Sequence, residues 1–271
     1  MHIHFLDSYQ PRQSVIHRLD ARVKVVLALA WIASLSLIPY PSREVQAVLR
    51  IGLKYALVWL LLMFLSWLAR LGITYLLKRS SLALPFILAA LPLLFTRPAV
   101  EASPLGHFGP LFVYMEGLLR FLSLALKSWL AVQVALLMIA TTPFPELLQA
   151  LRAIGLPRSL VATTGLTWRY LFVLADEVLR LLRARAARSG TIPGRTSLRG
   201  MRRILWESRV VGGMAASLFL RSLARADRIH FAMLARGYDG EIRSLPLPRL
   251  ARSQQFLLFS ALCFFFSLLL L

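Results

Sequence analysis

The sequence predicts an all-α integral membrane protein, with about five transmembrane helices and long amphipathic helices on the cytosolic side. Two opposed properties carry that prediction. The chain of 271 residues is 58% hydrophobic with a mean hydropathy of +0.67, yet its 32 Lys+Arg against 12 Asp+Glu give a formal net charge of +20. A nucleic-acid binder would carry the charge at far lower hydropathy, so nucleic acid is not an expected partner. Such apolar content excludes disorder, and in a soluble domain it would leave large sticky patches. A membrane protein with basic cytosolic segments reconciles both numbers. The one cysteine, Cys263, allows no intrachain disulfide. Residues 1–7 lack the basic-then-apolar order and cleavage site of a secretory signal, so the first apolar run is expected to be retained.

Five uncharged runs supply the predicted spans. They are Val25 to Tyr40 (16 residues), Tyr55 to Ala69 (15), Ser80 to Thr96 (17), Ser128 to Pro145 (18) and Ser253 to Leu271 (19). A span needs roughly 20 residues, so the shorter runs draw on flanking Lys24, Arg50 and Lys54, whose stems can snorkel to an interface. Extending the fourth run back to Gly117 places Arg120 and Lys127 on one helical face, where they snorkel or face protein. Pro39-Tyr40-Pro41-Ser42 reads as a turn, and Pro98 to Pro110 as a non-cytoplasmic loop. Pro85 and Pro92 predict kinks or unwinding inside the third run.

Orientation follows from the cations. Placing the N-terminal segment, the Arg70–Arg79 connection and residues 141–253 in the cytoplasm puts 26 of the 32 basic residues inside. The positive-inside rule then gives a multi-pass protein with its N-terminus cytoplasmic and its C-terminus outside. The chain divides into an N-terminal transmembrane region of about four spans (1–140), a cytosolic helical region (141–252) and a C-terminal transmembrane helix (253–271).

The cytosolic region has no full-length span. Leu171, Leu174, Val178, Leu181 and Leu182 recur at helical spacing with Arg180, Arg183 and Arg188 largely opposite them. Pro193-Gly194 breaks the pattern, and a second helix runs from about Ser197 or later to Ala235. Both are expected to lie at or under the membrane surface. One pattern, R-x-x-x-A-x-x-A-R-[SG], occurs twice at an offset of 48: Arg180 to Ser189 and Arg228 to Gly237. Each copy ends a helix on a small residue, with an arginine at the negative end of the helix dipole. Anionic lipid headgroups would account for the charge at about 1 kcal/mol per residue. They have no use for the matched small residues, which suit close docking onto a partner with two equivalent sockets. Both readings are open from the residues alone.

The Ala187-Arg188-Ser189 and Ala235-Arg236-Gly237 pair resembles the twin Ala-Arg-Gly motifs of the transmembrane T component of energy-coupling factor (ECF) transporters. Leu19-Asp20-Ala21-Arg22-Val23-Lys24 is similar to the family's L-D-P-R-x-K segment, and Ala235 to Gly240 resembles the cobalt-type Q subunit, CbiQ. The resemblance runs from about His17 to the final span. It implies an L-shaped α-helical subunit of a bacterial inner-membrane importer for a divalent metal (cobalt or nickel). Its coupling helices would relay the closure of two ATP-binding cassette subunits to a substrate-binding membrane subunit, the M component, with or without a small N component. Arg188 and Arg236 inherit the role of inserting into the ATPases. Two departures stand out: Ser189 replaces the commoner glycine, and Ala21 the usual proline.

No Walker A pattern occurs, so ATP is expected to be used by the partner subunits, and no cofactor or metal by this chain. His2 and His4 could meet a metal with the terminal amine but lack converging ligands. His107 and His230 have no ligand cluster by spacing, and Trp168-Arg169-Tyr170 suits an interfacial anchor. Asp176-Glu177 is expected to bridge to Arg180 on its own helix. A rival reading is a membrane enzyme acting on lipid or isoprenoid phosphates, with Asp176 and Glu177 holding a metal.

Overall fold

The computed structural model describes residues 9–40, 45–95, 106–108, 111–188, 201–240 and 250–270. Helix dominates, as predicted, and the chain forms two compact units. Among the described residues, the larger is drawn from 9–154 and 250–270, and the smaller from 155–240.

In the larger unit, α1 (Val15–Arg18) is capped by Ser14 and α2 (Ala21–Leu37) by Asp20, whose carboxylate accepts from the Arg22 amide at 2.9 Å. Ala21, the departure from the proline of the motif this segment resembles, is the first helical position of α2. Proline is favoured there for its preset φ, and the Asp20 cap supplies the helix start without it. Along α3 (Val45–Leu68), Ile51, Tyr55, Val58, Leu62 and Ser66 form a buried stripe at three- and four-residue spacing. Leu49, Leu53, Leu57, Leu60, Phe64 and Trp67 lie exposed on the rest of the helix. A helix whose exposed face is as apolar as its packed face suits hydrocarbon, not water.

Two helices among the described residues are long and apolar enough to span a bilayer, Gln46–Leu68 and Met115–Thr141, against the five spans expected. The helix in the first run, α2, has 17 residues. The third run is not one helix: α4 (Ile73–Ser80) gives way to a 3-10 turn, α5 (Leu84–Leu88) and a second 3-10 segment, Leu91–Phe95. Pro85 and Pro92 withhold the amides a continuous helix needs, so of the kinks or unwinding expected it is the unwinding that occurs. Short strands β1 (Gly106–Phe108) and β2 (Leu111–Val113) pair antiparallel where a loop was expected. The turn at 41–42 lies outside the described residues.

The fourth run is α6 (Met115–Thr141). A Cβ on Gly117 would lie 2.7 Å from the Leu94 carbonyl oxygen and 2.8 Å from that of Leu93, so only glycine lets α6 approach the broken segment so closely. The helix α7 (Phe144–Ile154) lies within the segment read as cytosolic, yet it packs on α2 through Ala21, Val25 and Ala150. The last helix, α10 (Arg252–Leu270), rests on α2, with the Phe265 and Trp31 rings 5.2 Å apart. Lys24 does not snorkel, and Lys127 takes the protein-facing alternative: both are buried and bonded to backbone carbonyls within this unit. Helix-end carbonyls inside the bundle offer a nearer partner than the interface does.

Candidate functional site

The smaller unit is built from two long helices that bury little of themselves. In α8 (Arg158–Arg188, 31 residues) Ala162 is the one buried residue, and none of the described side chains of α9 (Met201–Leu234, 34 residues) is buried. Apolar side chains such as Ile204, Leu205, Phe219, Leu223 and Phe231 stay exposed. Tertiary packing normally supplies most of a helix's stability, so surfaces like these need a cover that this unit does not itself provide.

Between the helices lies a groove of about 670 Å³. Thr163, Thr167, Tyr170 and Leu174 line it from α8, and Ala226, His230 and Met233 from α9, with Tyr238 just beyond. The Thr163, Thr164 and Thr167 hydroxyls donate to the carbonyls of Ser159, Leu160 and Thr163 at 2.7–2.8 Å. Those hydroxyls are satisfied within the helix, which leaves the threonine methyls for contact. Tyr170, read from sequence as part of an interfacial anchor, lines this groove. The periodicity of α8 was legible, but the groove was not, because it needs the α9 face set against it.

One ionic contact ties the pair. Glu177 reaches across to Arg221 at 3.4 Å and Arg225 at 3.8 Å. The expected bridge from Asp176-Glu177 to Arg180 is not made among the described residues, because two guanidinium groups on α9 stand closer to Glu177 than its own helix neighbour. A carboxylate already facing two cations is also poorly suited to the metal role that the enzyme reading required. No group of three or more His, Cys, Asp or Glu gathers among the described residues.

Both sequence-singled arginines lie at helix ends. Ala187 and Arg188 are the last two residues of α8, and both are exposed. Ser189 lies outside the described residues, as do His2 and His4. At the end of α9 the geometry is complete. Gly237 has φ +79, its amide donates to the Leu234 carbonyl at 2.9 Å, and the Tyr238 amide donates to the Met233 carbonyl at 3.0 Å. This is a Schellman cap with Gly237 in the left-handed position. It leaves Ala235 and Arg236 exposed on the closing turn, while Tyr238 folds back beside Met233 on the groove. Two arginines thus stand at the carbonyl ends of two amphipathic helices, each preceded by an alanine that keeps the approach open.

The profile of the cobalt transport protein family CbiQ matches residues 12–246. The energy-coupling factor transporter transmembrane protein EcfT of Clostridium kluyveri is 27% identical over 245 residues, covering 87% of this chain and 83% of that protein. The EcfT of Bacillus subtilis is 25% identical over 250 residues, covering 87% and 84%. The cobalt transport protein CbiQ of Rhodobacter capsulatus is 34% identical over 105 residues, 39% of each chain.

Proposed function

The chain belongs to the cobalt transport protein family CbiQ and is a membrane component of an ECF-type transporter; on that footing we propose that it couples ATP hydrolysis to the import of a divalent metal, cobalt or nickel. Arg188 and Arg236 dock into two ATP-binding cassette subunits, which use the ATP. The α8–α9 pair passes their closure to a substrate-binding membrane subunit of the cobalt type. The chain crosses the inner membrane several times with its N-terminus in the cytoplasm, and most of its other exposed cations face anionic lipid.

The observation that carries this reading is the smaller unit itself: two helices of 31 and 34 residues, almost nothing buried, each leading to an exposed Ala-Arg. An enzyme would be expected to close such helices around a pocket with a reactive group. Here the reactive chemistry is replaced by presented surface. An arginine at a helix carbonyl end is held by the dipole and projects a planar fork of donors toward carboxylates or carbonyls of a partner.

The test is the Arg188→Ala, Arg236→Ala double variant in the complete transporter. Transport should be abolished and the ATPase subunits released on mild detergent extraction, while membrane insertion is unchanged. Normal Co²⁺ and Ni²⁺ uptake by the double variant would sink the coupling role.

A further inference from the structure

Two lysines are buried in the larger unit, and each is bonded to the end of a neighbouring helix. Lys24, near the start of α2, donates from Nζ to the carbonyl of Thr141, the last residue of α6, at 3.0 Å, and to the His17 carbonyl at 3.3 Å. Lys127, midway along α6, donates to the Ser36 carbonyl at 3.3 Å and to the Ile38 carbonyl, at the end of α2, and its Nζ stands 4.7 Å from the centre of the Tyr40 ring. Lys24 to Ile38 and Lys127 to Thr141 are each 14 residues, so α2 and α6 run antiparallel with matched ties. Burying an ammonium group inside a bundle is costly unless it meets oriented acceptors. The carbonyls at a helix C-terminus are such acceptors, unpaired within their own helix and at the negative end of its dipole.

The two ties differ in what they hold. Lys127 closes one end of the helix pair. Lys24 sits where α1 ends, where α6 ends, and where α7 begins. At the same point the Gln10 amide donates to the Ala140 carbonyl at 3.1 Å, so the last two carbonyls of α6 are both engaged. The next helix, α7, then lies against α2, and its last residue, Ile154, directly precedes Gly155, where the smaller unit begins.

We propose that Lys24 is a positioning residue for coupling: it fixes the α6–α7 elbow as a rigid abutment, so that displacement delivered to α8 and α9 is not lost by flexing there. This rests on the coupling reading above. Lys127, bonded at the opposite end of α2, stabilises the pair without serving the elbow.

The experiment uses the complete transporter in liposomes and measures Co²⁺ taken up per ATP hydrolysed. Lys24→Met should lower that ratio by about tenfold, within the roughly 5–150-fold range of couplings between sites, with the complex recovered intact. Lys24→Arg should restore most of it. Lys127→Met should lower the melting temperature and leave the ratio unchanged. Should Lys24→Met not assemble, Lys24→Gln, which keeps an amide donor, is expected to assemble with an intermediate ratio. Equal loss of the ratio in Lys24→Met and Lys127→Met, or a ratio unchanged in every Lys24 variant that assembles, overturns the proposal. The Arg188→Ala, Arg236→Ala variant run alongside separates the two ideas. If it uncouples and the Lys24 variants do not, only the elbow is wrong; if it transports normally, the coupling reading itself falls.

Discussion

Gly237→Ala isolates one physical cause at the candidate site. An added Cβ there meets nothing within 4 Å, so no steric term arises from neighbours. What remains is the backbone: φ is +79, and an L-residue in the left-handed region costs roughly 1–2 kcal/mol. That amount shifts the balance between the capped and uncapped helix end by a factor of about 5–30. The two cap bonds, from Gly237 to Leu234 and from Tyr238 to Met233, would then be made less of the time, and Arg236 would lose its fixed turn. The assay is affinity for the purified ATPase subunits in detergent. The alanine variant should bind about 5–30-fold more weakly, with the same melting temperature for the larger unit. Gly237→Asn should recover much of the loss, because asparagine tolerates the left-handed region. An alanine variant that binds normally would refute the role of the cap in placing Arg236. An asparagine variant as weak as alanine would show that side-chain bulk, not φ, is what the partner rejects.

Three further outcomes follow from the larger unit. Gly117→Ala drives a methyl into the Leu93 and Leu94 carbonyl oxygens, and should cost about 1–3 kcal/mol as overpacking, read as a lower melting temperature. An unchanged melting temperature would mean that the broken segment does not press on α6. Gln133 is fully buried with neither amide atom hydrogen-bonded among the described residues, so Gln133→Met should raise stability by about 1–3 kcal/mol. A fall in the denaturation midpoint would reveal a partner for the amide. His17 Nε2 donates to the Gln10 carbonyl at 3.1 Å and Nδ1 meets the Ser14 hydroxyl at 2.7 Å, and burial holds the imidazole pKa below 6.5. Below pH 6.5 the unfolded chain takes up a proton that the folded chain resists. Stability therefore falls as pH drops through that window and levels off once the folded imidazole is protonated. His17→Gln should flatten that slope in a melting-temperature series, and an identical slope in both proteins would remove His17 as its source.

The helical class and the long α8 and α9 were legible because charge, hydropathy and the 3.6-residue period are properties of residue order. So was the paired Ala-Arg ending, since a repeat at fixed spacing needs no coordinates to be seen. The cap at Gly237 was half legible: the glycine announced a helix stop, and the backbone geometry then specified which bonds make it. Other features depended on residues far apart in sequence. Glu177 bonds across to α9 instead of along its own helix, Lys24 meets a carbonyl 117 positions away, and Lys127 one 89 away. No local pattern ranks such partners, because any nearby carbonyl or interface would satisfy a lysine equally well on paper.

By itself, then, the order of residues determined which segments are apolar, which carry the positive charge, and where two arginines end two helices. Only the tertiary structure decided that the broken third run presses on α6 at Gly117, that α7 belongs with α2, and that the two buried lysines tie α2 to α6. The physical reason is one of range. Hydrophobic period and charge bias are sums over neighbours in the chain, whereas the partner of a buried cation is chosen by whichever unpaired carbonyl the packing brings within 3 Å or so of it.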